Sequence, residues 1–300
     1  MNEREIPPHL RVSTALESGL TRDALNGEEW SAPFWGIRSR MEVRDLRARA
    51  EAFMPRMPDR AFYIGPTAAG LHGIPVPARK ETVALHIGVP AGMRRVEARG
   101  LIAHHVIIDV RDITAVDGLP ATTPARTWCD LAASGLNRHE VVAAGDRILW
   151  SEDPLGTVDD LRSALARYEG RRGSRLMRDA LPVLTSGSAS PRESWLKVLI
   201  IDAGLPMPED QVEVVNSWGR TIGHCDLGWL ALKIGIEYEG DHHRTDPAQW
   251  AYDIRRYREM ERAGWIIIRV TAADLADSRS RARLIEQIRS TISARVRALG

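Results

Sequence analysis

Cysteine is nearly absent from this chain. Cys129 and Cys225, far apart in sequence, are all it has in 300 residues. A disulfide framework of the kind small secreted domains rely on is therefore excluded. Net charge is nearly absent too: Lys plus Arg (41) almost cancels Asp plus Glu (40), leaving a formal +1. The overall balance casts no vote for nucleic acid, so any such contact has to come from local patches. No apolar run approaches the ~20 residues of a bilayer-spanning helix. The first residues, MNEREIPPHL, put charges and prolines where a secretory leader would need an apolar run, so a cytoplasmic protein is expected. There is also no internal repeat, no phosphate-binding P-loop, no dinucleotide fingerprint and no nucleophile triad.

What remains is an ordinary soluble composition, 44% hydrophobic and 27% charged, in a chain long enough for about two domains. Residues 1–58 read as weakly specified helix, with MEVRDLRARAEAFM (Met41 to Met54) the best amphipathic stretch. Residues 59–150 read as a small α+β region. Its short strand candidates are AFYIG, TVALHIGV and LIAHHVII, around a turn of helix at TAAGLHG. Thr123-Pro124 then opens a helix, with Thr as N-cap and Pro at the first helical position, and NRHEVVAAGDRILW supplies another. His72 and Arg126 read as structural, Arg126 tying its helix to the sheet.

Residues 151–188 contain two helices joined at Gly170 and Gly173 and carry Arg162, Arg167, Arg171, Arg172, Arg175 and Arg178. The segment TSGSAS (Thr185 to Ser190) is small and polar, as a flexible linker would be. From 189 to 300 the order is helix (191–204), strands (211–216, 222–229, 233–239), helix (247–263), strand (265–270), then helices. The expected fold class is α/β: a C-terminal mixed sheet flanked by helices, preceded by a smaller α+β domain.

The richest stretch is HCDLGWLALKIGIEYEGDHHR, His224 to Arg244. It sets Asp226 on one apolar segment and Glu237 and Glu239 on the next, with His242 and His243 just beyond. Strand alternation gives Glu237 and Glu239 one face, with Ile234, Ile236 and Tyr238 on the other. The same rule groups His224, Asp226 and Gly228 opposite Cys225 and Leu227. A hairpin turning near Leu230 to Lys233 would set Asp226 across from Glu237 and His224 across from Glu239. Facing carboxylates destabilise a bare strand pair, and a divalent ion with oxygen ligands would turn that repulsion into coordination. The plainer reading is a solvated strand face. A zinc site from His224, Cys225, His242 and His243 is rejected, because Cys225 points away and the paired spacing of zinc sites is missing.

From Ser190 to Asp274 the sequence resembles the very-short-patch-repair (Vsr-like) branch of the PD-(D/E)xK nuclease superfamily. The landmarks are the helix PRESWL, Asp226-Leu227, the strand IEYEGDHH, Asp253 and GWIIIRVTAADL. The resemblance implies a PD-(D/E)xK-type sheet, a Mg²⁺ (or Mn²⁺) site built from Glu193, Asp226 and Glu237, and assistance from His243 or His242. Glu239 stands where that superfamily usually has lysine, and Lys233 lies too far along the strand to replace it. Glu193 has a second reading, since Ser190-x-x-Glu193 with Pro191 satisfies the capping-box pattern. Asp246, before Pro247, reads as a helix cap.

Phosphate contacts in such a protein would come from Arg171, Arg172, Arg175, Arg255 and Arg256, although arginine runs also make solvated helix faces. In the first half, FYIGPTAAGLHGIPVP and GLPATTPARTWCDLA are similar to the AbiEi-type antitoxin family, with GLTRDALNGEEWSAPFWGIRSR as a remnant of its winged helix. That resemblance implies DNA binding and a toxin or defence-system partner. Two functions follow as expectations: a metal-dependent DNA endonuclease with Glu239 and His243 assisting the metal carboxylates, or a non-catalytic DNA-binding regulator on a degenerate nuclease fold.

Overall fold

The computed structural model describes residues 6–93, 97–216, 218–239 and 247–299, with side chains in the last stretch from 255 onward. The fold is mixed α/β and separates into two compact units. One holds the described residues up to Ile148 together with Leu155–Pro182. The other holds Leu149–Pro154 and the described residues from Val183 on. The segments expected at 1–58, 59–150 and 151–188 therefore fall largely within one unit. No helix among the described residues is long and apolar enough to cross a membrane.

The first unit opens with β1 (His9–Arg11), α1 (Val12–Glu17), α2 (Arg22–Leu25) and β2 (Ile37–Ser39), and β1 pairs with β2 antiparallel. The N-terminal segment thus contains a small sheet where only helix was expected. α3 (Leu46–Phe53) begins later than the Met41 boundary because Asp45 caps it, its carboxylate accepting from Ala48 N at 2.8 Å. Then come β3 (Phe62–Tyr63), α4 (Gly65–His72), β4 (Leu85–Pro90), β5 (Leu101–Val106), β6 (Ile113–Val116) and β7 (Leu119–Thr122). They form a five-stranded sheet in the order β5-β4-β3-β7-β6. β6 and β7 were not foreseen. Four helices follow: α5 (Pro124–Ala133), α6 (Arg138–Leu149), α7 (Val158–Tyr168) and α8 (Ser174–Ala180).

Thr123 caps α5 as its sequence implied, with Oγ1 accepting from Arg126 N at 3.2 Å. Trp128, fully buried on α5, donates Nε1–H to the Val141 carbonyl at 2.8 Å and so pins α5 to α6. Arg126 reaches Asp130 at 3.0 Å and Asp112, just before β6, at 3.5 Å. Arg167 also pairs with Asp112. His72 Nε2 lies 2.8 Å from the Thr122 carbonyl oxygen, and burial lowers its pKa. Both residues hold helices to the sheet.

The second unit contains α9 (Pro191–Asp202), β8 (Glu209–Val215), β9 (Thr221–Trp229), β10 (Ile234–Glu239), α10 (Pro247–Arg262), β11 (Ile266–Thr271), α11 (Ala272–Leu275) and α12 (Ser278–Leu299). Its sheet runs β11-β10-β9-β8, antiparallel except for the parallel β10–β11 pair that α10 connects. Ile234, Ile236, Ile268 and Val270 turn one face toward Leu196 and Ile200 of α9 and Leu284, Ile288 and Ile292 of α12. The i, i+4, i+8 spacing on α12 is what lets one helix stripe cover that face. Each such burial contributes roughly 1.5–3 kcal/mol before entropy is counted. Val212, Val214 and Cys225 pack on the opposite side with Met260 and Trp265.

The TSGSAS segment is tied down within this unit, where a flexible linker was expected. Ser188 is buried, and Lys197 Nζ donates to its Oγ at 3.1 Å and to Thr185. Lys197 also faces Asp210 Oδ1 at 3.7 Å with no exposure of its own. The short Leu149–Pro154 piece joins here too, through Ser151 N donating to Ser186 O at 3.0 Å.

Candidate functional site

Three elements of the second unit each deliver one carboxylate. Glu193 sits in the first turn of α9, where Ser190 caps the helix by accepting from Glu193 N at 3.3 Å. The Glu193 carboxylate reaches back to Ala189 N at 2.9 Å, one residue before the cap itself, and takes Gln211 Nε2 at 3.4 Å. The capping arrangement is present in this shifted form. Only 8% of Glu193 is exposed, and burial raises its pKa, with the charge of Asp210 adding to the rise.

Asp226 comes from β9. The β9–β10 ladder pairs Trp229 with Ile234, Gly228 with Gly235 and Leu227 with Ile236. Beyond those pairs Asp226 Oδ2 accepts from Tyr238 N at 2.7 Å, a side chain standing in for the next backbone bond. Burial raises the Asp226 pKa to about 6. The Tyr238 N–H opposes that rise, and the charges of Glu193 and Glu237 add to it.

Simple strand alternation fails at this point. Cys225 packs with Val212 and Met260 on the α10 side, whereas Leu227 packs with Leu196 and Ile236 on the other. The two were expected to share a face. The break coincides with Gln211 on β8, which adopts a left-handed φ of 47° between the paired positions Asp210↔Leu227 and Val212↔Cys225. A non-glycine residue in that region re-aims the strand and stores strain. His224 is exposed and pairs with Glu213 of β8, where the hairpin reading had set it opposite Glu239.

Glu237, from β10, is 8% exposed and surrounded by donors. Arg256 Nη2 donates to its Oε2 at 2.9 Å, the Tyr257 hydroxyl donates to the same oxygen, and Cys225 Sγ lies 3.7 Å from Oε1. Burial, with Glu237 second, pushes the Tyr257 and Cys225 pKa values up. Glu239 pairs with Arg269 of β11. The guanidinium carbons of Arg256 and Arg269 each lie 4.9 Å from the Tyr257 ring centroid.

The chain's lysines are Lys80, Lys197 and Lys233. Lys80 donates to Ser134 O in the first unit, and Lys197 is locked as described above. Lys233 is a left-handed turn residue before β10 that donates to Ala263 O, not a member of the strand. None of these contacts sets a lysine beside Glu239. His242, His243 and Asp246 lie outside the described residues, as does the side chain of Asp253 on α10.

As for the arginines, Arg171, Arg172 and Arg175 are exposed in the first unit, Arg171 donating to Ile107 O at 3.1 Å. Arg255 is exposed on α10 in the second. Arg256, expected on phosphate, turns to Glu237. That engagement went unread in the sequence because nothing in a helical arginine pair says which member faces the sheet. Lys197 was missed as well, although a lone cation inside the apolar run WLKVLI was its signal.

Glu193, Asp226 and Glu237 are thus close enough to act on one another electrostatically, and an all-oxygen set of this kind suits a hard divalent cation. As the side chains stand, no group of three or more His, Cys, Asp or Glu residues among the described ones is arranged to hold a metal. The carboxylate of Glu237 is engaged by Arg256 and Tyr257 instead.

No family model matches the chain. It is similar to an uncharacterised protein of Mycobacterium tuberculosis strain H37Rv, 29% identical over 242 residues, covering 81% of this chain and 85% of that one. The counterpart in strain CDC 1551 matches at the same identity and coverage.

Proposed function

We propose that this chain is a metal-dependent DNA endonuclease of the PD-(D/E)xK type, Vsr-like in its second unit, whose first, AbiEi-like unit positions or regulates it. The observation that carries the reading is the Asp226 carboxylate. It is buried, raised to about 6, and pushed upward by Glu193 and Glu237, which arrive from two other elements. Mutually repelling carboxylates in a mostly apolar setting are costly unless a cation offsets them.

Glu193, Asp226 and Glu237 would hold Mg²⁺ or Mn²⁺, which supplies an acidified water and neutralises charge on the phosphodiester. The chain's own part is to orient and screen. The Tyr238 N–H fixes the Asp226 carboxylate, and Ala189 N and Gln211 fix that of Glu193. Glu239, beside Arg269 at the strand end, is placed to orient water, and His243 is the candidate proton relay. Exposed Arg171, Arg172, Arg175 and Arg255 offer phosphate contacts without base choice.

A specific observation favours a second reading. Both strand glutamates are already ion-paired, Glu237 with Arg256 and Glu239 with Arg269. That pattern also suits a DNA-binding regulator, with a toxin or defence-system partner, whose nuclease fold does no chemistry. Supercoiled plasmid incubated with Mg²⁺ or Mn²⁺, beside Asp226→Ala and an EDTA control, separates the two. Metal-dependent nicking lost in the variant supports the nuclease. DNA retardation without cleavage of plasmid, linear, single-stranded or mismatched DNA supports the regulator.

A further inference from the structure

Arg256 occupies a prepared place. Its side chain crosses β9 above Gly223, where an added Cβ would lie 3.3 Å from Arg256 Nη1, 3.4 Å from its Cδ and 3.0 Å from Met260 Cε. The Tyr257 ring lies against its guanidinium, and the guanidinium ends on Glu237 Oε2 at 2.9 Å. Only 20% of the Arg256 side chain and 10% of the Glu237 side chain remain exposed, so the pair is poorly screened by water.

An ion pair this buried is a weak source of stability, because desolvation offsets most of the attraction. Its position is more informative. Arg256 places one positive charge on a carboxylate that, with Asp226 and Glu193, makes up the candidate cation site. A divalent cation binding there has to take Glu237 from Arg256 or share it, and two cations on one carboxylate repel.

We propose that Arg256 is an internal counter-cation which holds Glu237 in place and competes with the divalent ion, setting the affinity of the site for metal. The inference rests on the metal-site reading above and adds to it the residue that limits occupancy. Arg256 is a positioning residue: it acts on the site through Glu237.

The test is Mn²⁺ binding by the full-length protein, followed by loss of the free-ion electron paramagnetic resonance signal. Arg256→Gln keeps a neutral donor near Glu237 and removes the charge. It is expected to bind Mn²⁺ more tightly, on the order of tenfold, since one unit of nearby like charge is gone. Arg256→Lys keeps the charge and is expected to stay near wild type. Gly223→Ala crowds the arginine stem without touching a carboxylate and is expected to shift affinity in the same direction as Arg256→Gln. Asp226→Asn is expected to bind weakly in either background. A purely structural arginine would lower the melting temperature when replaced and leave Mn²⁺ affinity unchanged or weaker, and that result overturns the proposal while leaving the metal site standing. Absence of Mn²⁺ binding in wild type and Arg256→Gln alike removes the metal reading, and this inference with it.

Discussion

The backbone N–H of Tyr238 donates to Asp226 Oδ2 at 2.7 Å, so a carboxylate completes the join between β9 and β10 where their ladder ends. This fixes the acid by the fold itself. It also means that substitutions at Asp226 have to keep an acceptor if the strands are to stay joined, which shapes the first prediction.

Asp226→Asn is expected to stabilise the protein near neutral pH. The pKa of Asp226 rises from 3.8 to about 6 on folding, so the folded state holds the proton more tightly. Its stabilising contribution is full below pH ~4 and is lost as pH rises through about 6, amounting to about 1–3 kcal/mol after partial screening. Asn keeps the acceptor for Tyr238 N–H and removes the charge. Urea denaturation at pH 5 and 7.5 checks this: the wild type weakens between the two while the variant does not. A variant less stable than wild type at both pH values rules the account out.

Glu193→Gln separates capping from chemistry. The amide oxygen can still accept from Ala189 N, so the melting temperature is expected to stay within a few degrees, because a preserved cap acceptor avoids most of the ~1 kcal/mol cost of losing one. Metal-dependent nicking is expected to disappear. Full activity with an unchanged melting temperature would assign Glu193 to the helix end alone.

Lys197→Ala is expected to be severe, roughly 3–5 kcal/mol, because it leaves Asp210 buried without its counter-charge. Asp210→Asn combined with it should recover part of the loss, a coupling that a double-mutant cycle in urea measures directly. Strict additivity would show that the 3.7 Å approach contributes nothing.

In the first unit, Arg126→Ala is expected to cost a similar ~3–5 kcal/mol by stranding Asp112 and Asp130. Burial holds the Asp130 pKa up at about 6 even with Arg126 opposing it. Removing the guanidinium should therefore raise that pKa further, and the variant's loss should be smaller at pH 5 than at pH 8. Equal losses at both pH values would contradict this.

Much of the second unit was legible. Ile234, Ile236, Ile268 and Val270 alternate as strand residues should, and the apolar stripe of α12 repeats at helical spacing. These local patterns place Glu193, Asp226 and Glu237 on their elements without tertiary information. What the sequence hid depends on contacts across the fold. Gln211 is an ordinary strand residue by type, yet its left-handed φ is what sends Cys225 and Leu227 to opposite sides. Arg256 meets Glu237 across a loop and a helix, a pairing that no local spacing encodes. The TSGSAS composition signals a linker, but a single buried lysine converts it into part of the domain. In the first half, β6 and β7 escaped because ITAV and LPAT are short and separated by only Asp117-Gly118.

The chain leaves its first unit after Ile148, comes back at Leu155, and departs again after Pro182. Genes for multi-part proteins are commonly reshuffled by joining pieces end to end at one seam. No single seam here divides the two units cleanly: a break near 182 orphans Leu149–Pro154 from Ser186, and a break near 148 carries α7 and α8 away with the wrong half. The two halves therefore travel through evolution as one indivisible cassette.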